Sequence, residues 1–389
     1  MESSTVKDEL QRVPVAKLAV GMFVAAIDDS GKVTIANAGQ IQDRTAIAKI
    51  IKSGIKFVWI DPSKSAPGSI VQAKSKTSTT SGGNRDVRQT NAKKLLGEAK
   101  GLIKKVLGEI YEGKAIEVEP FEALAENMIE SVMLDVDAFK CISALRTKDA
   151  YLLEHSVNVA FLLVTFGRHL KLDKQLLKDM AIGGILHDVG KIRVDNKVLH
   201  KPGKLTPEEF EHMKLHQVYA LEEMKAAKGL SQVSKDVCLM HHEKLDGKGY
   251  PRGLNADQIP LHGRMSCICD IFDALTATRC YKQAMSPASA FKILLSLTPF
   301  HLDQQLVYEF IRCVGVYPVG SLVELSDGRV GIVWDAKERD ALHPIVKCFY
   351  SLKHQRYTDI EYLDLNKSEL GIERGVSPSS LSVDPAPFY

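Results

Sequence analysis

Gly183-Gly184-Ile185-Leu186-His187-Asp188-Val189-Gly190-Lys191 carries an apolar run straight into a histidine, an aspartate and a lysine. The paired glycines suit a helix packed closely against its neighbours, so the run reads as a buried helix that ends at His187. A carboxylate directly behind such a run would be desolvated, at a cost of several kcal/mol unless a cation or strong donors neutralise it. Imidazole beside carboxylate is an ordinary start to a metal site, and Lys191 suits a phosphate.

Working outward, the chain from about 120 to 316 is a succession of helix-period segments joined by short turns, which predicts an all-helical central domain. Thr206-Pro207-Glu208-Glu209 supplies a capping hydroxyl, a proline at the first helical position and a glutamate at the third, and so opens a helix at Pro207. Upstream, His155 lies in YLLEHSVNVAFLLVTF with Leu152, Val159, Leu162 and Phe166 on one face, so its imidazole points into a core. Taken alone it reads as a buried, hydrogen-bonded core histidine rather than a ligand. His212 and His216 stand one helical turn apart and could clamp a metal or lie exposed; His216 is nearer the apolar positions. His241-His242-Glu243 runs into Asp246-Gly247 and Gly249-Tyr250-Pro251, a rigid turn-rich loop in which Pro251 restricts where the Tyr250 ring points. Asp270 and Asp273 sit three apart on an otherwise apolar helix, and Asp270 is the expected closing ligand of the set.

Elsewhere the patterning changes. Residues 13–61 alternate apolar and polar positions around a helical stretch at Asp43 to Ser53, predicting a small α+β domain over 1–61. Residues 62–90 are rich in Ser, Thr, Gly, Lys and Pro and read as a flexible linker; 91–147 read as connecting helices before the 148–316 domain. A lysine-bearing helix face (Lys93, Lys94, Lys100, Lys104, Lys105) reads as a solvated surface, since no aromatic residues interleave with it as nucleic-acid binding would ask. Leu322–Leu325, an Asp327-Gly328 turn and Val330–Val333 predict a hairpin, followed by two more short strands, giving a β-rich extension over 317–366 and a tail over 367–389.

Composition narrows the function classes. Against 48 acidic residues stand 51 basic ones, a balance of +3 that excludes a nucleic-acid coat and makes any anion affinity local. Neither an apolar leader nor an ~18-residue apolar run is visible, so a cytoplasmic protein without a membrane span is expected. Seven scattered cysteines form no CxxC pair and indicate neither a disulfide framework nor a zinc ribbon. Nine of the 12 histidines fall between His155 and His262, so the middle of the chain selects for imidazole.

Residues 148–316 resemble the HD-GYP family, a subgroup of HD metal-dependent phosphohydrolases that hydrolyse cyclic di-GMP, in the ordered motifs EHSVNVA, LHDVGKIRV, HKPGKLTPEEFE, HHEKLDGKGYPRGL and CDIFDALTATR. The resemblance implies two divalent ions, iron or manganese first and zinc or nickel next, with His155, His187, Asp188 and Asp270 around one, His216, His241 and His242 around the other, and Asp188 bridging. A third ion, which some members hold through a carboxylate four residues before the first histidine, is not expected, because Tyr151 stands there. It further implies attack by a bridging hydroxide on a phosphodiester, Lys191 binding the scissile phosphate, Arg279 and Lys282 holding the second phosphate or a guanine edge, Tyr250 at the substrate, and Glu243 and Asp246 orienting the histidines. Where the family carries Arg-Pro-Tyr-Arg this chain has Arg279-Cys280-Tyr281-Lys282, which bears on selectivity. Implied partners are a cyclic dinucleotide, a diguanylate cyclase or other signalling protein at the GYP loop, and a second copy of the chain; a nucleic-acid polymer is not expected. A di-iron oxygenase and a weakly catalytic receptor are the competing classes; Lys191 and the complete loop favour phosphate chemistry, and seven filled ligand positions disfavour the receptor. VPVAKLAVGMFV and GIKFVWIDP look like a poorly characterised domain that precedes HD-GYP in cytosolic members.

Overall fold

The computed structural model describes residues 11–15, 18, 22–29, 32–34, 39–41, 46, 47, 49, 50, 57–61, 64, 65, 82–134, 151–277, 284–336, 342–381, 383, 385 and 388. The chain forms two compact units, one within residues 1–79 and one from residue 80 onward.

The first unit is built on an antiparallel sheet of β1 (Gln11–Pro14), β2 (Phe23–Asp29), β3 (Lys32–Thr34), β4 (Gly39–Gln40) and β5 (Phe57–Ile60). The order is β1-β5-β2-β3, with β4 also on β2, and β5 lies in register Gln11↔Ile60 with β1. Period-two patterning puts Val58 and Ile60 of β5 inward, where they join Val13, Val24 and Ile41.

The second unit opens with α1 (Gly82–Tyr111) and α2 (Glu119–Leu134). Leu95, Ala99, Ile103, Val106 and Ile110 recur at helical spacing along α1 and are buried with Phe121, Leu124, Met128 and Val132 of α2. Two expected boundaries change here. The linker is expected to run to residue 90, yet helix begins at Gly82: Arg85, Arg88 and Gln89 are good helix formers that carry no apolar signal, so polar composition does not exclude a helix there. Residues 66–81 lie outside the described set. The segment read as connecting helices shares one core with the helices that follow, so α1 and α2 are part of the helical body. Of the lysine face, Lys94 and Lys105 pair with Glu98 and Glu109 one turn on, whereas Lys100 turns inward to Glu154 at 2.8 Å.

The body continues through α3 (Tyr151–His169), α4 (Lys174–Leu186), a 3-10 turn at Val189–Arg193, α5 (Asn196–Leu199), α6 (Pro207–Lys214), α7 (His216–Ala226), α8 (Gln232–Met240), α9 (Leu261–Thr276), α10 (Pro287–Ser296) and α11 (Gln304–Val314). The α6 start at Pro207 forms the full capping box with Thr206 and Glu209. Helix α3 is the axis of the body. Val157, Ala160, Phe161 and Val164 face the α1 and α2 side, and Val159, Leu163 and Phe166 face α9, α10 and α11. Phe166 meets Phe310 edge to face at 5.2 Å; truncating such a buried ring to alanine costs about 3–5 kcal/mol. Gly183 and Gly184 let α4 slide between α3 and α8, since a Cβ at either would lie 2.7 Å from the Ser234 carbonyl oxygen or 2.9 Å from the Ala160 Cα. That contact presents the end of α4 to the end of α8 and the start of α3.

A second five-stranded antiparallel sheet follows, in order β10-β6-β7-β8-β9: β6 (Leu322–Leu325), β7 (Arg329–Asp335), β8 (Ile345–Ser351), β9 (Arg356–Asp364) and β10 (Ile372–Val376). The expected tail contains β10, which pairs with β6, and Phe388 stacks on Phe349 at 4.4 Å. The Ser and Pro content there marks the turns flanking a short edge strand.

Candidate metal centre

Five helix ends and faces bring seven donor side chains together: His155 from the first turns of α3, His187 and Asp188 just past α4, His216 at the start of α7, His241 and His242 past α8, and Asp270 in the middle of α9. Two groups result, His155 with His187 and Asp188, and His216 with His241 and His242; within each, the candidate ligand atoms all lie within 4.8 Å of one another. Around the first, His155 Nε2 is 3.0 Å from Asp270 Oδ1 and 3.2 Å from His187 Nε2, and His187 Nε2 is 3.4 Å from Asp188 Oδ2. Asp188 turns its other oxygen to the second group, with Oδ1 at 3.9 Å from both His216 Nε2 and His241 Nε2. Asp188 Oδ1 is buried with no hydrogen-bond partner among the described residues. Donors sharing one cation at about 2.1 Å stand roughly 3 to 4 Å apart, and these separations, of which those at 3.9 Å are too long for hydrogen bonds, match that spacing. The residues fit a pair of divalent ions.

Local backbone sets the rings. The Nδ1–H of His187, His216 and His241 donates at 2.7 Å to the carbonyl three residues earlier, Gly184, Met213 and Cys238 respectively, which leaves each Nε2 facing the cluster. His155 is held differently: its Nδ1 lies 2.7 Å from Asp273 Oδ2, both side chains being fully buried. His242 is stacked on the Tyr250 ring at 4.6 Å. Gln217, also fully buried, places its amide nitrogen 2.9 Å from His216 Nε2 and 3.5 Å from His241 Nε2, while its Oε1 has no hydrogen-bond partner among the described residues.

Burial pulls down the pKa of His216 to about 4 and of His242 to about 3, the Lys191 charge adding to both, so these rings are neutral and able to coordinate. Burial acts the same way on His155, but the carboxylates of Asp270 and Asp273 outweigh it and raise the ring to about 9. Burial would raise Asp188, yet Lys191 first, then His187 and His155, hold its carboxyl well below the usual range. The Lys191 ammonium meets Asp188 Oδ2 at 2.5 Å and is part-exposed, so it stands at the mouth of the site.

Other expected residues lie elsewhere. Glu243 was to orient the histidines; its carboxylate instead accepts the backbone N–H of Arg252 at 2.8 Å and of Leu254 at 2.9 Å, tying down the loop that carries Tyr250. Asp246 accepts from the Lys248 N–H at 3.1 Å and lies 4.0 Å from His301 Nε2. Orientation falls to Asp273 and the three carbonyls, which reach the rings because they sit on the rings' own helix turns or on α9. His212 accepts from the Asp195 N–H at 3.4 Å, outside both groups. Arg279 and Lys282 lie outside the described residues, as does the Tyr151 side chain. Neither Asp273 nor Gln217 was assigned from sequence; for Asp273 the signal present was a second carboxylate on an apolar helix face.

An HD domain family model matches residues 140–306, and a domain of unknown function matches 10–121. The chain is 33% identical over 372 residues to a cyclic di-GMP phosphodiesterase of Pseudomonas aeruginosa, covering 92% of this chain and 90% of that one. It is 42% identical over 123 residues to a 3'3'-cGAMP-specific phosphodiesterase of Vibrio cholerae, covering 31% of this chain and 24% of that one. A solved HDGYP protein of Bdellovibrio bacteriovorus aligns at 14% identity and a TM-score of 0.48, over 77% of this chain and 98% of that one. No helix among the described residues is long and apolar enough to cross a membrane. With the histidine and aspartate motifs gathered at one place and a relative that aligns over nine-tenths of both chains, this chain belongs to the HD-GYP family of HD-domain proteins.

Proposed function

We propose that this chain is a metal-dependent phosphodiesterase that opens a cyclic dinucleotide, cyclic di-GMP first, to the linear dinucleotide and onward to GMP. The observation that carries the reading is Asp188, which offers one carboxylate oxygen to each of two histidine groups. In this reading His155, His187, Asp188 and Asp270 would hold one divalent ion and His216, His241, His242 and Asp188 the other, iron or manganese being suited to a mixed imidazole and carboxylate set. When bound, such a pair supplies Lewis acidity to phosphoryl oxygens and makes water a competent nucleophile near neutral pH.

The chain's own side chains perform the rest. Asp273 and the Gly184, Met213 and Cys238 carbonyls keep ring nitrogens aimed inward. Lys191, at the mouth, can exchange its contact with Asp188 for a phosphate oxygen. Tyr250, stacked on His242 and fixed by the Glu243-tied loop, walls the entrance. The relative that covers both units is named for cyclic di-GMP, which ranks that substrate ahead of the mixed guanine-adenine form. The turn from Asp246 to Pro251, where Lys248 is exposed, is the proposed contact for a diguanylate cyclase or other signalling protein in the cytoplasm.

The test is anaerobic purification, elemental quantitation of bound metal, and product analysis on cyclic di-GMP and cyclic GMP-AMP. Wild type is expected to carry two ions and to yield the linear product. Asp188→Ala is expected to lose both ions and turnover with its helical circular dichroism intact; full turnover in that variant overturns the mechanism.

A further inference from the structure

We infer that Gln217 is an oxygen ligand of the second metal position, joining His216, His241, His242 and Asp188. The inference rests on the two-metal reading above and adds to it a neutral donor peculiar to this site. Gln217 is fully buried, and its amide head lies 2.9 and 3.5 Å from the Nε2 atoms of His216 and His241. Both rings donate through Nδ1 to backbone carbonyls, so both Nε2 atoms present lone pairs toward the amide. The amide head therefore stands where a cation shared by these rings has its next ligand, at the separation of neighbouring donors around one ion at about 2.1 Å.

The two ends of the amide differ in what they satisfy. The NH2 group donates to the rings, while Oε1 is buried with no hydrogen-bond partner among the described residues. Leaving an amide oxygen so placed costs about 1–3 kcal/mol. A half-turn about the last side-chain bond exchanges oxygen and nitrogen with no change of shape. It turns the oxygen toward the position that the Nε2 lone pairs face, where a cation would satisfy rings and oxygen together, and moves the NH2 group into the place the oxygen leaves. An amide oxygen is a hard, uncharged donor. It favours manganese or ferrous iron over zinc, which is content with four nitrogen or sulfur ligands, and it tightens the site without adding a negative charge beside the substrate phosphate.

The experiment is manganese titration of the full chain against a competing chelator, with elemental quantitation, for wild type, Gln217→Leu, Gln217→Asn and Gln217→Glu. Leucine keeps the volume and removes the oxygen, asparagine withdraws it, and glutamate keeps its reach. Losing a ligand costs at least as much as disturbing a ligand's neighbour, so Gln217→Leu and Gln217→Asn should weaken the second manganese about tenfold or more and lower the manganese-to-zinc preference, with the first site unchanged. Gln217→Glu should bind it at least as tightly as wild type. Unchanged or tighter second-site binding in Gln217→Leu overturns the inference while leaving the phosphodiesterase reading intact; wild type that takes up fewer than two ions overturns the two-metal reading itself.

Discussion

Asp273→Asn is the sharpest test of how the centre is held. The carboxylate accepts from His155 Nδ1 at 2.7 Å, and neither side chain reaches solvent. Asparagine keeps an acceptor of nearly the same shape but removes the charge. A hydrogen bond to a charged group contributes about 1.5–3 kcal/mol and one between neutral groups about 0.5–1.5, a difference of about 1–2 kcal/mol. Converted, that is roughly a 5- to 30-fold loss of metal affinity, which overlaps the 10–100-fold typical when a ligand histidine loses its carboxylate partner. The assay is competition between protein and chelator for manganese, read by elemental analysis, with melting of the helical signal as the control for folding. Affinity within twofold of wild type in a folded protein would refute the reasoning, because the carboxylate would then be filling space only.

Three further outcomes are expected. In Gly190→Ala the new methyl would collide with the His216 carbonyl and lie 2.6 Å from the Ala220 nitrogen, so α7 must back away; stability should fall by ~1–3 kcal/mol, and second-site metal content should fall with it. Glu243→Ala leaves the N–H groups of Arg252 and Leu254 without their acceptor, which should cost roughly 2–4 kcal/mol in thermal melting and raise KM through a loosened Tyr250 loop, with Glu243→Gln intermediate. Chelator should lower the Tm of wild type, because ions that bind only the folded chain stabilise it, and should leave the Tm of Asp188→Ala unmoved; equal shifts would place the bound ions elsewhere.

The parts of this site legible from sequence are those written into one local stretch. The glycines before His187, the capping box at Thr206 and the hairpin at Asp327-Gly328 each follow from short-range rules, and each is present. Asp270 and Asp273 show where such rules stop. They sit three apart on α9, and only the rotation of α9 against α3 gives one the Nε2 side of His155 and the other the Nδ1 side. Glu243 was misread for a related reason: its neighbours in sequence are ring ligands, but its carboxylate reaches forward nine and eleven residues to backbone N–H groups that sequence does not place in space. The strand β10 was hidden because its partner β6 lies almost fifty residues upstream, beyond any local pattern.

The three rings that donate to the carbonyl three residues earlier have a second occupation. His187 and His241 are the residues at which α4 and α8 stop, and His216 follows the stop of α6 by one position. The last-turn carbonyls of a helix are short of intrahelical N–H donors, and here an imidazole Nδ1–H donates to one of them at each of the three ends. Each such histidine is thus a helix terminator independent of any chemistry, and losing that bond alone forfeits about 1 kcal/mol. A descendant of this chain that had ceased to turn over substrate would still be under pressure to retain imidazole at all three positions. Retention of those histidines in a relative is accordingly a record of its architecture first, and Asp188 and Lys191, which terminate nothing, are the better witnesses to catalysis.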